Sequence, residues 1–201
     1  MSTLLRAIPF IFMLLPSAYA EEAVSIAQPI IKVEEKRNTL MFHSGASSIT
    51  TDASSATGLD FGVSYSYAFN KKMALVASIR QGLNTSGFGT LYTDIGAGVA
   101  LSLRGNSLMQ EVEEVSINGM RSASSKPYNQ GGTVLTAQMK QYLFNGTNSV
   151  VPVVGLSMGG YYIFPSSEKI NLHVGGSLDY GQNTDITLTG IKVYAGIQFW
   201  L

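Results

Sequence analysis

Between Leu59 and Phe69 the chain reads Leu-Asp-Phe-Gly-Val-Ser-Tyr-Ser-Tyr-Ala-Phe. Leu59, Phe61, Val63, Tyr65, Tyr67 and Phe69 are large and apolar, whereas Asp60, Gly62, Ser64, Ser66 and Ala68 are small or polar. A strict period of two over this length specifies a β-strand with chemically opposite faces. At about 3.3 Å per residue the stretch is roughly 33 Å long. A tilt of about 40° reduces its height to roughly 25 Å, which matches the apolar band of a membrane-spanning barrel.

Alternation alone does not say which face meets the core. A soluble sandwich packs its large face inward and covers the other with Lys, Glu and Thr. Here the second face is Gly, Ser and Ala, a poor solvent surface but a good filling for a narrow lumen. A barrel of about eight strands has an interior just wide enough for side chains. The large face is therefore read as facing lipid, with a soluble barrel as the alternative.

Residues 1–20 read as a cleaved targeting segment. Arg6 precedes an apolar run from Ala7 to Leu15, and Ala18-Tyr19-Ala20 supplies small residues for cleavage before Glu21. The run is shorter than the roughly 20 residues a spanning helix needs. No later stretch is apolar enough for one, so a spanning structure has to be a closed barrel. Cysteine is absent, which excludes a disulfide scaffold and thiolate chemistry. Formal net charge is +0 with no basic block, so no nucleic-acid partner is expected. Only 13% of residues are charged, too few for a surface wetted all round.

Residues 21–37, with Pro29, form a lead-in, with a short strand possible around Ile30 to Val33. Eight strands then account for residues 38–201: Asn38 to Ser44, Leu59 to Phe69, Met73 to Leu83, Leu91 to Leu103, Gly132 to Phe144, Val150 to Phe164, Lys169 to Tyr180, and Thr187 to Leu201. Gly45 to Thr57, rich in Ser, Thr and Ala, reads as a loop, as does Asn84 to Gly89. Arg104 to Gly131 fits less well. It contains a possible ninth strand, Leu108 to Ile117, whose alternation is spoiled by Glu111, Glu113 and Glu114. Single-chain barrels have even strand counts, so ten strands using this segment and the lead-in are the alternative to eight.

The end of the chain, Tyr194-Ala195-Gly196-Ile197-Gln198-Phe199-Trp200-Leu201, resembles the terminal strand signal of bacterial outer-membrane β-barrels. Tyr194, Gly196, Phe199 and Leu201 carry the match, although that family usually closes on Phe. In its overall pattern the chain is similar to the small eight-stranded barrels typified by OmpX and the OmpA membrane domain. The resemblance implies an all-β, antiparallel up-and-down transmembrane barrel in the outer membrane of a Gram-negative bacterium. It also implies outer-membrane lipid and the barrel assembly machinery as partners, and a monomer is expected. Tyr67, Phe69, Tyr162, Phe164, Phe199 and Trp200 would form an aromatic girdle at one rim.

Register arguments place candidate polar groups inside the lumen. Arg80 falls opposite Asp94 with Asp60 diagonal to it, a carboxylate–guanidinium cluster that could tie strands together and block water. Across the last hairpin His173 is expected opposite Lys192, with Asp179 nearer the loop. Catalysis is not expected. His43 and Ser44 are adjacent and point to opposite faces, while His173 and Ser177 stand about 13 Å apart along one strand. Neither pair can act as base and nucleophile. Two distant histidines and no cysteine make no metal cluster, so no metal and no cofactor are expected.

The sequence therefore indicates an integral outer-membrane barrel with a structural or surface-interaction role through its outer loops. A narrow pore gated by lumen charges is the alternative, and a lipid-modifying barrel enzyme the third reading.

Overall fold

The computed structural model describes residues 30–52, 55–85, 90–104, 108–117, 120–124, 131–145, 150–167 and 169–201. Residues 1–20, expected to be a targeting segment, and residues 21–29 of the expected lead-in lie outside them. Among the described residues there are eleven strands: β1 Ile30–Lys36, β2 Asn38–Thr51, β3 Ser55–Ala68, β4 Met73–Asn84, β5 Thr90–Ser102, β6 Gln110–Ile117, β7 Met120–Ser124, β8 Gly132–Asn145, β9 Val150–Pro165, β10 Ile170–Gln182 and β11 Thr187–Trp200. Eight of them close an antiparallel barrel in the order β10-β11-β2-β3-β4-β5-β8-β9. The up-and-down course is completed where the last strand pairs with the first barrel strand, from Leu188 opposite Thr51 to Trp200 opposite Thr39. Asn38 and Leu201 meet at what is termed here the terminal end, where Leu201 N donates to Asn38 O at 3.0 Å.

The alternation read from the sequence is the wall of this barrel. Along β4 exposed and buried positions alternate from Met73 to Gly82. Ile79 is 51% exposed and Met158 68%, whereas Arg80 on the lumen face is 6% exposed. The outer surface is thus a continuous band of Leu, Ile, Val, Met, Phe and Tyr, far more contiguous apolar surface than a water-soluble monomer shows. Tight turns join β3 to β4 and β10 to β11. Asn70 Oδ1 accepts from Lys72 N at 2.8 Å and Met73 N at 2.9 Å, and Asn183 Oδ1 accepts from Asp185 N and Ile186 N at 2.8 and 2.7 Å. Gly131 enters β8 at φ 62, a conformation that a side chain disfavours.

Three expectations are corrected. Most of Gly45 to Thr57 is strand: β2 runs to Thr51 and β3 starts at Ser55, because Ser47 and Ile49 continue the inward series and Gly45 to Thr51 pair with β11. The segment Leu108 to Ile117 does hold a strand, but it is not a ninth barrel stave. β6 pairs with β1 on one side and β7 on the other in a separate three-stranded sheet, so the ten-strand alternative fails. Trp200 is 5% exposed and points inward, so it is no part of an outer girdle. Tyr67, Phe69, Tyr162 and Phe164 are exposed near the terminal rim and pair edge to face, Tyr67 with Phe69 at 5.7 Å and Tyr162 with Phe164 at 4.7 Å.

Two apolar clusters fill the lumen ends. Met41, Ala68, Ala74, Val76, Ala100, Val134 and Ile163 line the terminal end, and Leu108 and Met109, from the connection between β5 and β8, are buried among them. Ile49, Tyr92, Tyr142, Val153 and Leu188 fill the far end. The charged side chains Asp60, Arg80, Asp94, Lys140, Asp179 and Lys192 lie between these two layers, while Thr39, Ser66, Ser102, Asn171 and Gln198 are buried at the terminal end.

Candidate functional site

The polar layer is built from inward positions of six strands. Asp60 (β3), Arg80 (β4), Asp94 (β5), Lys140 (β8), Asp179 (β10) and Lys192 (β11) are all less than a tenth exposed. Lys192 is the hub. Its Nζ hydrogen-bonds Asp94 Oδ2, lies 3.1 Å from Asp179 Oδ2, and stands 3.9 Å from Asp60 Oδ2. Lys140 Nζ holds the other oxygen of Asp94 at 3.1 Å. Tyr92 Oη donates to Asp60 Oδ2, and the Lys192 ammonium sits 4.6 Å from the Tyr92 ring centroid. A cation held by three carboxylates and an aromatic face is well compensated, which a charge in a closed lumen requires.

Arg80 faces the other way. It pairs with Asp94 in the β4–β5 register, yet its guanidinium carbon lies 4.6 Å above the Tyr194 ring. Around that ring stand both histidines, His43 at 5.2 Å and His173 at 6.2 Å between ring centroids, with His43 and His173 6.1 Å apart. Tyr161 packs on His173 at 5.8 Å. Glycines make this convergence possible. A Cβ on Gly62 would lie 2.2 Å from His43 Nε2 and 2.7 Å from Arg80 Cγ, and one on Gly196 would lie 2.8 Å from His173 Cε1.

The two clusters read from the sequence therefore exchange members. Lys192, expected beside His173, gathers Asp60, Asp94 and Asp179, while Arg80 joins His173. His173 pairs with Gly196, and Lys192 with Ser177, which corrects the register expected for the last hairpin. The expectation of two distant histidines is also corrected: barrel closure sets β2 and β10 on either side of β11 and brings the rings together. The place of Lys140 in the cluster and the partners of Tyr92 and Tyr142 were missed, since cross-lumen contacts leave no mark on any single strand. Among the terminal-signal residues, Tyr194 is buried, Gly196 lies under the imidazoles, Phe199 meets Phe42 at 6.0 Å, and Leu201 is exposed.

His43 Nε2 and both ring nitrogens of His173 have no hydrogen-bond partner among the described residues. Nor does any group of three or more His, Asp and Glu there have the spacing of a metal site.

No family model matches the sequence, and no curated protein matches it at a significant level. Among solved structures, Neisserial surface protein A (NspA) superposes with a TM-score of 0.56 at 11% identity, over 84% of this chain and 99% of that one. This chain has the fold of the small eight-stranded outer-membrane barrels. Two further barrels are similar at lower scores: the N-terminal β-barrel domain of Pseudomonas aeruginosa OprF (TM-score 0.45, 10% identity, 83% of this chain and 98% of that one) and Ail, the attachment invasion locus protein of Yersinia pestis (0.38, 15%, 83% and 100%). At these identities the likeness concerns the barrel and not what it does.

Proposed function

We propose that this barrel sits in the outer membrane as a sealed, non-conducting and non-catalytic protein with a structural or surface-interaction role. The observation that carries the reading is the stacking inside the lumen: an apolar layer at the far end, the Lys192 charge cluster, the Tyr194–histidine layer, and an apolar layer at the terminal end. Ions crossing this lumen would have to break buried ion pairs, which cost several kcal/mol each to separate.

The exposed apolar band supports lipid as the surrounding medium, and the terminal strand supports delivery by the barrel assembly machinery. In this reading the barrel is a monomer and its terminal end faces the periplasm. The far-end connections, 52–54, 85–89, 146–149 and 183–186, are short, whereas the terminal end carries the sheet of β1, β6 and β7. Interaction is therefore assigned to the short far-end connections and to that sheet, not to a long outer loop at Gly45 to Thr57.

Planar-bilayer recording tests the seal. The reading predicts no steady current above the bare bilayer for the wild-type protein. A steady current that rises in Arg80→Ala would replace it with the pore reading.

A further inference from the structure

Between the Lys192 cluster and the terminal apolar layer lies a small cavity of about 20 Å³ whose lining includes His43, Arg80, Gln138, Tyr161, His173 and Tyr194. A space of that size takes one water or one monatomic ion and excludes phosphate or a carboxylate. The side chains around it are buried, Arg80 and His43 at 6% exposure and His173 at 1%. Arg80 Nε and Nη1, His43 Nε2 and both ring nitrogens of His173 have no hydrogen-bond partner there. Buried polar atoms are nearly always satisfied, so a group of five around one cavity points to an occupant.

The charge distribution says what kind. Overall the lumen balances three carboxylates against Arg80, Lys140 and Lys192, but the charges are segregated. The carboxylates are held by Lys192, Lys140 and Tyr92. Among the described residues none of them lies within ion-pairing distance of Arg80; Asp60 and Asp94 act on it only through space, and its guanidinium rests on the face of Tyr194. Arg80 offers donors only, and each imidazole offers an N–H. A metal cation would stand against the guanidinium, at a repulsion that low dielectric enlarges. Water would satisfy hydrogen bonds and leave the guanidinium with no anion in direct contact.

We propose that this cavity is a binding site for one monatomic anion, a halide, held by Arg80, His43 and His173. Gly62 and Gly196 are the positions that let the three side chains converge on it, since a Cβ at either would collide with them.

The test is refolding of the full mature chain in detergent with sodium bromide, because a sealed lumen has to be loaded as it closes, followed by crystallography at the bromine absorption edge. An anomalous peak is expected in the cavity, within hydrogen-bonding reach of Arg80 and an imidazole, and it should be lost in Arg80→Gln. If that variant does not fold, His173→Phe keeps a ring and removes its donors, and the peak height should fall clearly. Solvent density without anomalous signal in the wild-type protein overturns the proposal. So does a peak of unchanged height in Arg80→Gln or His173→Phe.

Discussion

Arg80 and Asp94 are direct cross-strand partners on β4 and β5, yet they do not form an ion pair: Asp94 is held by Lys192 and Lys140 from across the lumen, and the guanidinium lies on Tyr194. The lysines, then, staple the barrel. Removing Lys192 leaves Asp60, Asp94 and Asp179 buried without the cation they share. Lys192→Met is expected to lower unfolding free energy by about 3–5 kcal/mol. Arg80→Met, which removes a cation with no carboxylate contact, should cost less. Urea unfolding in detergent, followed by tryptophan fluorescence, gives the order. An Arg80 loss equal to or above that of Lys192 would contradict it.

Cross-strand register was legible where the alternation is strict on both strands and the centre of the connection was placed correctly. In the β4–β5 hairpin Arg80 falls opposite Asp94 as the spacing requires, and the register shifts only beyond it, between Gly82 and Leu83. The last hairpin misled because its centre was placed too early. Asn183 caps a turn with Asp185 and Ile186, which shifts the pairing so that His173 meets Gly196; an Asn-Thr-Asp run is a turn signal that could have set it correctly. Gly45 to Thr57 looked like a loop because its Ser, Thr and Ala lack bulk, but backbone pairing with β11 and β3 needs no bulk. Lys192 and Asp94 lie 98 residues apart and meet only because the sheet closes.

Closure itself depends on a missing methyl. A Cβ on Gly196 would lie 1.9 Å from Phe42 O, a backbone atom that cannot step aside. Gly190, on the same strand, has its nearest atom at 3.4 Å, an ordinary contact. Gly196→Ala should therefore abolish the folded, heat-modifiable band on cold gel electrophoresis. Gly190→Ala should keep it and change stability by less than about 1 kcal/mol. Equal behaviour of the two variants would show that the β2–β11 seam is looser than described.

Leu108 and Met109 plug the terminal end from outside the barrel strands. Leu108 is 2% exposed, so Leu108→Ala should cost about 2–5 kcal/mol by leaving a cavity. Far-ultraviolet circular dichroism should still show the barrel, because no stave is touched. A change below 0.5 kcal/mol, roughly the range of surface substitutions, would mean that the plug does not pack as described.

The orientation of the wall underlies every statement made about the lumen. Because the chain has no cysteine, single cysteines can be placed one at a time from Met73 to Gln81 and spin-labelled in lipid vesicles. Oxygen accessibility is predicted to peak at 73, 75, 77 and 79 and to fall at 74, 76, 78 and 80. A profile of opposite phase, or a chain that stays folded and monomeric in detergent-free buffer, would contradict the account.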